Sequence, residues 1–419
     1  MNFTNVNGII IPDGNVKRLL SGGNVLWQKS RLPDGYIEVE AILAFGGQWI
    51  NTGVTMTSED EMFIDLDISD LSEPTYLIMG ARSGFQSRNI TFSKQSAGYG
   101  IACDFNNGDG NTYRYNTDQY TSGRYKLFNS KNSRGIVGIG QNDNICNDSF
   151  TCPGPCYIGF WGAGTGATNI GVIGGIYEAG IKDKWHGIPC YRASDGEIGM
   201  YDLIGGRFHA NAGIGCFGAI YKDFPNEYTQ LRAIVATGEQ WFDLGLKGTQ
   251  DLRIDINIKP TALDATDAQI WIGCYDGTVN NYIGPGGRQN WDIYFSPNSN
   301  NLKLSFTQQT YPLLKSCQAG PTNAASTFYV YPYSMSIPRS VFQTSINLWM
   351  FNRNSVNGQY STLPAKATHY FSRIKQGNNV RRILVPAQRK SDGVNGCLDR
   401  ANNVFYSSET GINFNAITF

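Results

Sequence analysis

The chain repeats itself. Pro33, Tyr36, Ala41, Ile42, Gly46, Gln48, Trp49 and Gly53 are matched 192 residues downstream by Pro225, Tyr228, Ala233, Ile234, Gly238, Gln240, Trp241 and Gly245. Self-similarity at one spacing marks a duplicated structural unit, and it constrains the fold more tightly than composition can. The next strand pattern, Ile64-Asp65-Leu66-Asp67-Ile68, is matched by Ile254-Asp255-Ile256-Asn257-Ile258 at a spacing of 190. Farther on, Tyr177 and Ile181 correspond to Tyr370 and Ile374, and Pro189 and Arg192 to Pro386 and Arg389. Gly199, Asp202, Phe208 and Phe217 then meet Gly396, Asp399, Phe405 and Phe414 at 197. A spacing that drifts by a few residues places the insertions in loops and keeps the strand order. The sequence therefore divides into residues 1–30, a first copy over 31–218 and a second over 219–419.

Each copy spans ~190 residues, too long for a seven-stranded immunoglobulin-like sandwich and suited to a larger two-sheet sandwich of the jelly-roll kind. Forty-nine glycines, 23 tyrosines and 22 phenylalanines, with few stretches of helical period, read as short strands joined by turns, so the class is all-β. Met62 to Ile68, Leu252 to Ile258 and Leu302 to Phe306 alternate as half-buried strands do. Thirty-four basic residues balance 34 acidic ones without a basic stripe, which argues against a nucleic-acid partner. No apolar run approaches the ~18 residues of a membrane span. The N-terminus lacks a charged region followed by an apolar core, so a soluble protein made in a cytoplasm without a signal peptide is expected. Nine cysteines at irregular spacings in a large chain point to free buried thiols and no disulfides.

The first thirty residues stand apart. Ile9 to Ile11, then Val16 and Leu19, then Val25 to Trp27 read as three short strands punctuated by Pro12-Asp13-Gly14-Asn15 and Gly22-Gly23. So small a segment cannot bury its own apolar surface, so it must dock on the first sandwich or on another subunit. That makes residues 1–30 an expected attachment module.

Two stretches carry a resemblance. Gly46 to Gly53, with Pro33 and Tyr36 before it, and the closing run Ile188 to Gly213, which holds Ile188-Pro189-Cys190-Tyr191-Arg192, Ile198-Gly199-Met200-Tyr201-Asp202-Leu203 and Phe208-His209, resemble the concanavalin A-like, laminin-G-like sandwiches of bacteriophage tail and virion proteins and of some gut-bacterial surface proteins. The second copy keeps Trp241, Asp243 and Gly245 but reads Val385-Pro386-Ala387-Gln388-Arg389, a divergence from the first. The leader Ile9 to Trp27 is similar to short leaders of phage structural proteins. The resemblance implies two tandem concanavalin A-like jelly-roll sandwiches behind a small N-terminal β module, a place in a virion, and a homo-oligomer, with a trimer as the expected form. It implies no particular sugar.

Candidate sites follow from side-chain chemistry. The segment Asp104-Phe105-Asn106-Asn107-Gly108-Asp109-Gly110-Asn111 is dense in oxygen ligands, so Asp104, Asn106 and Asp109 are the candidate ligands of a structural calcium; an Asn-Gly hairpin turn explains the same residues. No other cofactor is expected. Cys152, Cys156, His186 and Cys190 could form a zinc set, or be buried thiols about the turn Pro153-Gly154-Pro155. Glu59-Asp60-Glu61 and Asp65-x-Asp67 are the nearest approach to a glycosidase carboxylate pair, but strand alternation puts these acids on a solvated outer face. With three histidines, His186, His209 and His369, and no nucleophile motif, no enzyme is expected. Tyr113, Tyr115 and Tyr120, among Asn, Asp and Arg, and Trp161 and Trp291 are the candidate glycan-binding rings, since a sugar's C–H face stacks on an aromatic and its hydroxyls need polar neighbours. Trp49 and Trp241 are expected in the cores. The favoured role is a phage virion component (tail, fibre or decoration) that binds host-surface glycan and joins other virion proteins through residues 1–30. A purely architectural virion subunit and a glycan-cleaving enzyme are the alternatives.

Overall fold

A computed structural model of the chain describes residues 18–21, 24–28, 31–68, 76–82, 88–94, 100–106, 112–117, 122–159, 173–213, 215–249, 251–260, 269–275, 282–283, 286–287, 292–295, 302–305, 315–321, 326–330, 333–337, 343–355 and 365–419. Among these residues the protein is all-β, and no helix is long and apolar enough to cross a membrane. Eleven strands of the first copy form one sheet, whose main path runs Gly140–Asn142, Arg134–Ile136, Gly123–Asn129, Met62–Ile68, Ile173–Ile181, Trp185–Arg192, Ile198–Asp202, Arg207–Ala210. Ala41–Phe45 attaches at Ile173–Ile181 and carries Gly218–Ile220 on its other edge, and Tyr36–Glu38 attaches at Trp185–Arg192. A six-stranded sheet, from Thr112–Thr117 through Ile101–Asn106, Asn89–Lys94, Tyr76–Arg82 and Thr151–Ile158 to Ile50–Thr57, lies across the core from it. Ile64, Leu66, Ile78, Phe92, Phe105 and Ile158 fill the space between, all fully buried.

The second copy repeats this path strand for strand: Tyr333–Ile337, Ser326–Val330, Lys315–Pro321, Leu252–Pro260, Lys366–Gln376, Asn379–Arg389, Asn395–Asp399, Val404–Tyr406, with Ala233–Thr237, Asn415–Ile417 and Tyr228–Gln230 in the places of their counterparts. Phe242–Thr249, Gln343–Met350 and Ile272–Tyr275 form the facing sheet over a core of Phe242, Trp271, Leu348 and Phe351. The closing strand of the first sandwich reaches Ile220, so its last strand crosses the division at 218 drawn from the sequence.

Strand register corrects one alignment. Met62–Ile68 pairs with Ile173–Ile181 through a bulge that leaves Tyr177 extra, between Glu178 opposite Asp65 and Ile176 opposite Leu66. Leu252–Pro260 pairs with Lys366–Gln376 through the same bulge at Tyr370, between Phe371 opposite Asn257 and His369 opposite Ile258. Leu66 therefore corresponds to Ile258, Asp65 to Asn257 and Phe63 to Asp255, at a spacing of 192 rather than 190. A two-residue slip keeps the inward face inward, which is why the sequence pattern could not reveal it.

The repeated motif is turn chemistry. Gln48 Oε1 accepts the Phe45 amide at 2.7 Å and Gln240 Oε1 the Thr237 amide at 2.8 Å, each closing the turn at a positive-φ glycine, Gly46 or Gly238. Asn51 and Asp243 accept the amides of Gly53 and Gly245 at 2.8 and 2.7 Å. Likewise Asp202 holds the amides of His186 and Ile204, both at 3.0 Å, and Asp399 those of Ile383 and Ala401, both at 3.0 Å. Each side chain supplies a partner for a turn amide that strand pairing leaves over, so these positions are set by folding.

Trp49 and Trp241 are half-buried at one end of each sandwich rather than in its core. Trp49 meets Tyr157 edge-on at 5.1 Å, and Trp241 stacks on Trp349 at 3.8 Å; Tyr157 and Trp349 are themselves counterparts. Each tryptophan joins a strand end to the returning chain, whose Ala212 and Glu409 amides bond the Trp49 and Trp241 carbonyls.

The two sandwiches dock against each other. Phe371, Ile383 and Val385 project from the outer face of the second large sheet into the apolar cluster of the first sandwich. Asp255 is fully buried there, bound by Arg373 at 3.1 Å and Arg253 at 3.2 Å, while Arg373 and Lys375 reach Glu197 of the first sandwich. Gln48 donates to Asn257 at 3.2 Å and Asn257 to the Cys216 carbonyl at 3.1 Å. Of the acids expected on a solvated face, Glu59 and Glu61 are exposed and Asp67 is half-buried, but Asp65 is covered, as is Asp255 in the second copy. Asp255 lies under another domain, and Asp65, 5% exposed, is gripped by Arg124 at 2.7 and 3.0 Å beneath a guanidinium that stacks 3.6 Å from the Tyr177 ring. Alternation tells which way a side chain points, but not what covers it.

Candidate functional site

The docked sandwiches leave a cleft of about 360 Å³ between them. From the first sandwich come Tyr191 at the end of Trp185–Arg192, the turn Ala193 to Gly196, and Tyr221 just beyond Gly218–Ile220; from the second come Asn378 and Asn379 at the Lys366–Gln376 to Asn379–Arg389 turn, Val380, Ile383, Arg400 and Ala401. Gly377, at φ 57°, lets that turn present both asparagines, which are exposed. The turn opposite is held by Arg192, whose guanidinium makes two bonds to Asp195 at 2.9 and 2.7 Å and lies 5.2 Å from the Phe208 ring.

Rings and charges in this cleft are mutually ordered. Tyr191 and Tyr221 meet edge to face at 5.8 Å, and Arg400 lies 4.7 Å over Tyr221 while binding Asp223 at 2.9 Å. The Tyr191 hydroxyl donates to Asp223 at 3.1 Å. Burial, reinforced by the Asp223 carboxylate, pushes the Tyr191 phenol up to about 12, so it stays a neutral donor. Asp195 is held below the usual carboxylate range first by its bonds from Arg192. The resulting wall has two aromatic rings, two amides and carboxylates whose charge is matched by neighbouring guanidiniums. It offers ring faces and hydrogen bonds without a net field, which is suited to a polyhydroxylated ligand.

The sequence-nominated residues lie elsewhere. Tyr113 and Tyr115 point inward from Thr112–Thr117 and pack, half-buried, against the first core, with Arg134 5.6 Å from the Tyr113 ring. Tyr120, Trp161 and Trp291 lie outside the described residues. Asp104 and Asn106 sit in the strand Ile101–Asn106 rather than a loop, and Arg114 takes both carboxylate oxygens of Asp104; Asp109 lies outside the described residues. Neutralised by that guanidinium, Asp104 has little left for a calcium ion. Among the described residues no three His, Cys, Asp or Glu side chains are grouped as metal ligands. The zinc set is dispersed: Cys152 and Cys156 are in the first core, Cys190 packs with Leu32 and Ile188, and His186 Nε2 bonds Glu178 at 2.7 Å.

The acidic triplet is also accounted for. Glu59 pairs with Lys131, Asp60 with Lys184 at 2.7 Å and Glu61 with Lys182 at 3.1 Å. One Cys–His contact exists among the described residues, Cys397 Sγ to His369 Nδ1 at 3.6 Å, with Ser372 Oγ 2.6 Å from Nε2. Both Cys397 and His369 are fully buried; burial drives the imidazole down to about 3 and the thiol well up, leaving a neutral packed pair without an approach for substrate. Eight of the nine cysteines, all but Cys317, have described side chains and are free and buried.

The cleft was missed in the sequence because its residues are 191–196, 221, 378–383 and 400, and no local pattern joins them. The one available signal was the pair of asparagines after Gly377 in a turn between two long strands.

No family model and no curated protein matches the chain. Among solved structures it is similar to domains LG4-5 of the mouse laminin α1 chain, with TM-score 0.30 and 11% identity over 88% of this chain and 96% of that one. It is also similar to NanB with optactamide, with TM-score 0.23 and 9% identity over 88% and 73% of the two chains. A third is the leech intramolecular trans-sialidase complexed with 2,7-anhydro-Neu5Ac, with TM-score 0.21 and 10% identity over 92% and 73%. Likeness this distant carries no argument, so the tandem-sandwich fold rests on the strand order itself.

Proposed function

We propose that the protein is a non-enzymatic, glycan-binding virion protein of a bacteriophage, joined to the particle through residues 1–30, with the cleft between its sandwiches as the sugar site. The observation that carries the binding reading is the cleft wall: Tyr191, Tyr221, Asn378, Asn379 and Asp195 converge from two sandwiches on one cavity of about 360 Å³. That size falls in the ~300–1,000 Å³ range of small-molecule sites. Because Asp195 is matched by Arg192 and Arg400 by Asp223, the reading favours neutral sugars. The virion setting is supported by the resemblance of Gly46 to Gly53 and Ile188 to Gly213 to phage proteins.

A glycan array with the whole chain tests the binding reading. Binding to neutral host-surface glycans is expected, reduced at least ten-fold in an Asn378→Ala/Asn379→Ala variant. Those side chains are exposed, so the variant keeps the fold. Binding unchanged in that variant, or no binding across the array, overturns the site. Mass spectrometry of purified particles tests the setting, and absence of the chain from them overturns it.

A further inference from the structure

We infer, on the glycan reading above, that the sugar held in this cleft bears an acetamido group, so the ligand is an N-acetylhexosamine rather than a plain hexose. A hexose presents C–H faces and hydroxyls, for which rings and side-chain amides suffice. This cleft holds an aliphatic patch as well, made by Val380, Ile383 and Ala401. The patch runs from the asparagines to the Asp195 turn. Val380 follows Asn379 in the strand Asn379–Arg389, and Ile383 Cδ1 lies 2.5 Å from where a Cβ would stand on Gly196, the residue after Asp195. Gly196, at φ 62°, has a backbone that glycine adopts at no cost, and its missing side chain leaves Ile383 its place.

The strand is built to present that patch. Simple alternation would turn Val380 and Ile383, three residues apart, to opposite faces. A bulge prevents it. Lys375 pairs with Val380 and Ile374 with Arg382, which leaves Arg381 extra and turns Val380 and Ile383 outward together. Both pack in the apolar cluster that also holds Tyr191 and Tyr221. The Ile383 carbonyl accepts the Arg400 amide at 2.8 Å, which holds Ala401 next to the same strand.

An acetamido group has three parts, and the cleft has a counterpart for each. Its methyl calls for aliphatic surface, which the patch supplies. Its N–H calls for an acceptor, which is Asp195. There Oδ1 takes Arg192 Nε at 2.9 Å and the Glu197 amide at 3.2 Å, while Oδ2 takes Arg192 Nη2 at 2.7 Å. A carboxylate oxygen has room for two donors, so Oδ2 accepts one more. Its carbonyl calls for a donor, and the exposed side-chain amides of Asn378 and Asn379 provide it. A hydroxyl at the same ring position would lie against the patch without a partner, and a carboxylate there would be repelled by Asp195.

Binding of the whole chain to array glycans that differ only in a 2-acetamido or a 2-hydroxyl group tests this. The acetamido member of a pair should bind at least ten-fold more tightly, since one small apolar group in a fitted pocket discriminates by about 10–200-fold. The N-deacetylated member, which loses the methyl and the carbonyl, should bind as weakly as the hydroxyl one. Val380→Thr keeps the shape of the side chain, puts a hydroxyl on the patch, and should cut the preference at least three-fold. Equal binding of both members of every pair, while Asn378→Ala/Asn379→Ala still weakens binding, overturns the inference and leaves the glycan reading standing. So does a preference for 6-deoxyhexoses over acetamido sugars, or an acetamido preference that Val380→Thr does not alter. Absence of binding to any glycan overturns both.

Discussion

Arg373 is where the joint between the sandwiches can be broken with one side chain. It is 3% exposed, binds Asp255 through Nε and Nη2 at 3.4 and 3.1 Å, and reaches Glu197 of the other sandwich through Nη1. Burial alone would lower its pKa, but Asp255 and Glu197 more than reverse that and hold it above the ordinary arginine value. Arg373→Ala removes one of the two arginines described on the fully buried Asp255 and leaves Arg253. Removing one partner of a buried pair costs about 3–5 kcal/mol, and the surviving Arg253 contact argues for about 3. For a cooperative unit of this size that is a fall in Tm of about 6–12 °C by calorimetry. Arg373→Leu with Asp255→Leu should recover most of it, because replacing a whole buried pair by apolar groups is nearly neutral. A Glu197→Ala/Arg373→Ala cycle should show coupling of about 1 kcal/mol or more. Zero coupling, or a fall below 2 °C for Arg373→Ala, would refute the claim that this network joins the sandwiches.

Other expectations are as direct. His369 is neutral in the folded chain down to about pH 3, whereas an unfolded histidine takes a proton near 6.5, so the unfolded state binds the extra proton as pH falls. Stability should hold above pH 6.5 and decline toward pH 3 with a contribution of up to about 1.4 kcal/mol per unit, and His369→Gln should flatten urea-measured stability over that window. Gly174→Ala would press a Cβ within 1.9 Å of the Asp67 carbonyl, and a loss of about 1–3 kcal/mol in urea unfolding is expected. Trp241→Ala, which removes a ring stacked at 3.8 Å but only half-buried, should cost about 2 kcal/mol, below the ~3–5 of a core tryptophan; an unchanged Tm would contradict the packing described. Thiol titration of the native chain, with modified sites mapped by mass spectrometry, should find the eight cysteines other than Cys317 unreactive, since burial pushes Cys152 and Cys190 up to about 12 and the other six are fully enclosed; rapid modification of any of these eight would show that its cover opens.

The duplication, the all-β class and the inward strand faces were legible in the residues alone. Repetition and period-two alternation are local and survive divergence, because Ile64, Leu66 and their counterparts must face a core whatever the loops do. The residues also showed the positions of Gln48, Asn51 and Asp202, though their role as acceptors for particular turn amides needed the coordinates. What covers the outward faces emerges from the docked sheets and was not legible in the residues. Asp65 and Asp255 look alike in sequence, yet one is gripped by Arg124 within its sheet and the other is sealed beneath a second domain. Tyr113 looked like a ligand platform and packs inward, while Tyr191, noted only within a motif of the resemblance, shares a cleft with Tyr221 and Asn379, which drew no notice. The physical reason is that alternation encodes direction relative to one sheet, whereas burial and site geometry depend on long-range docking between surfaces far apart in the chain.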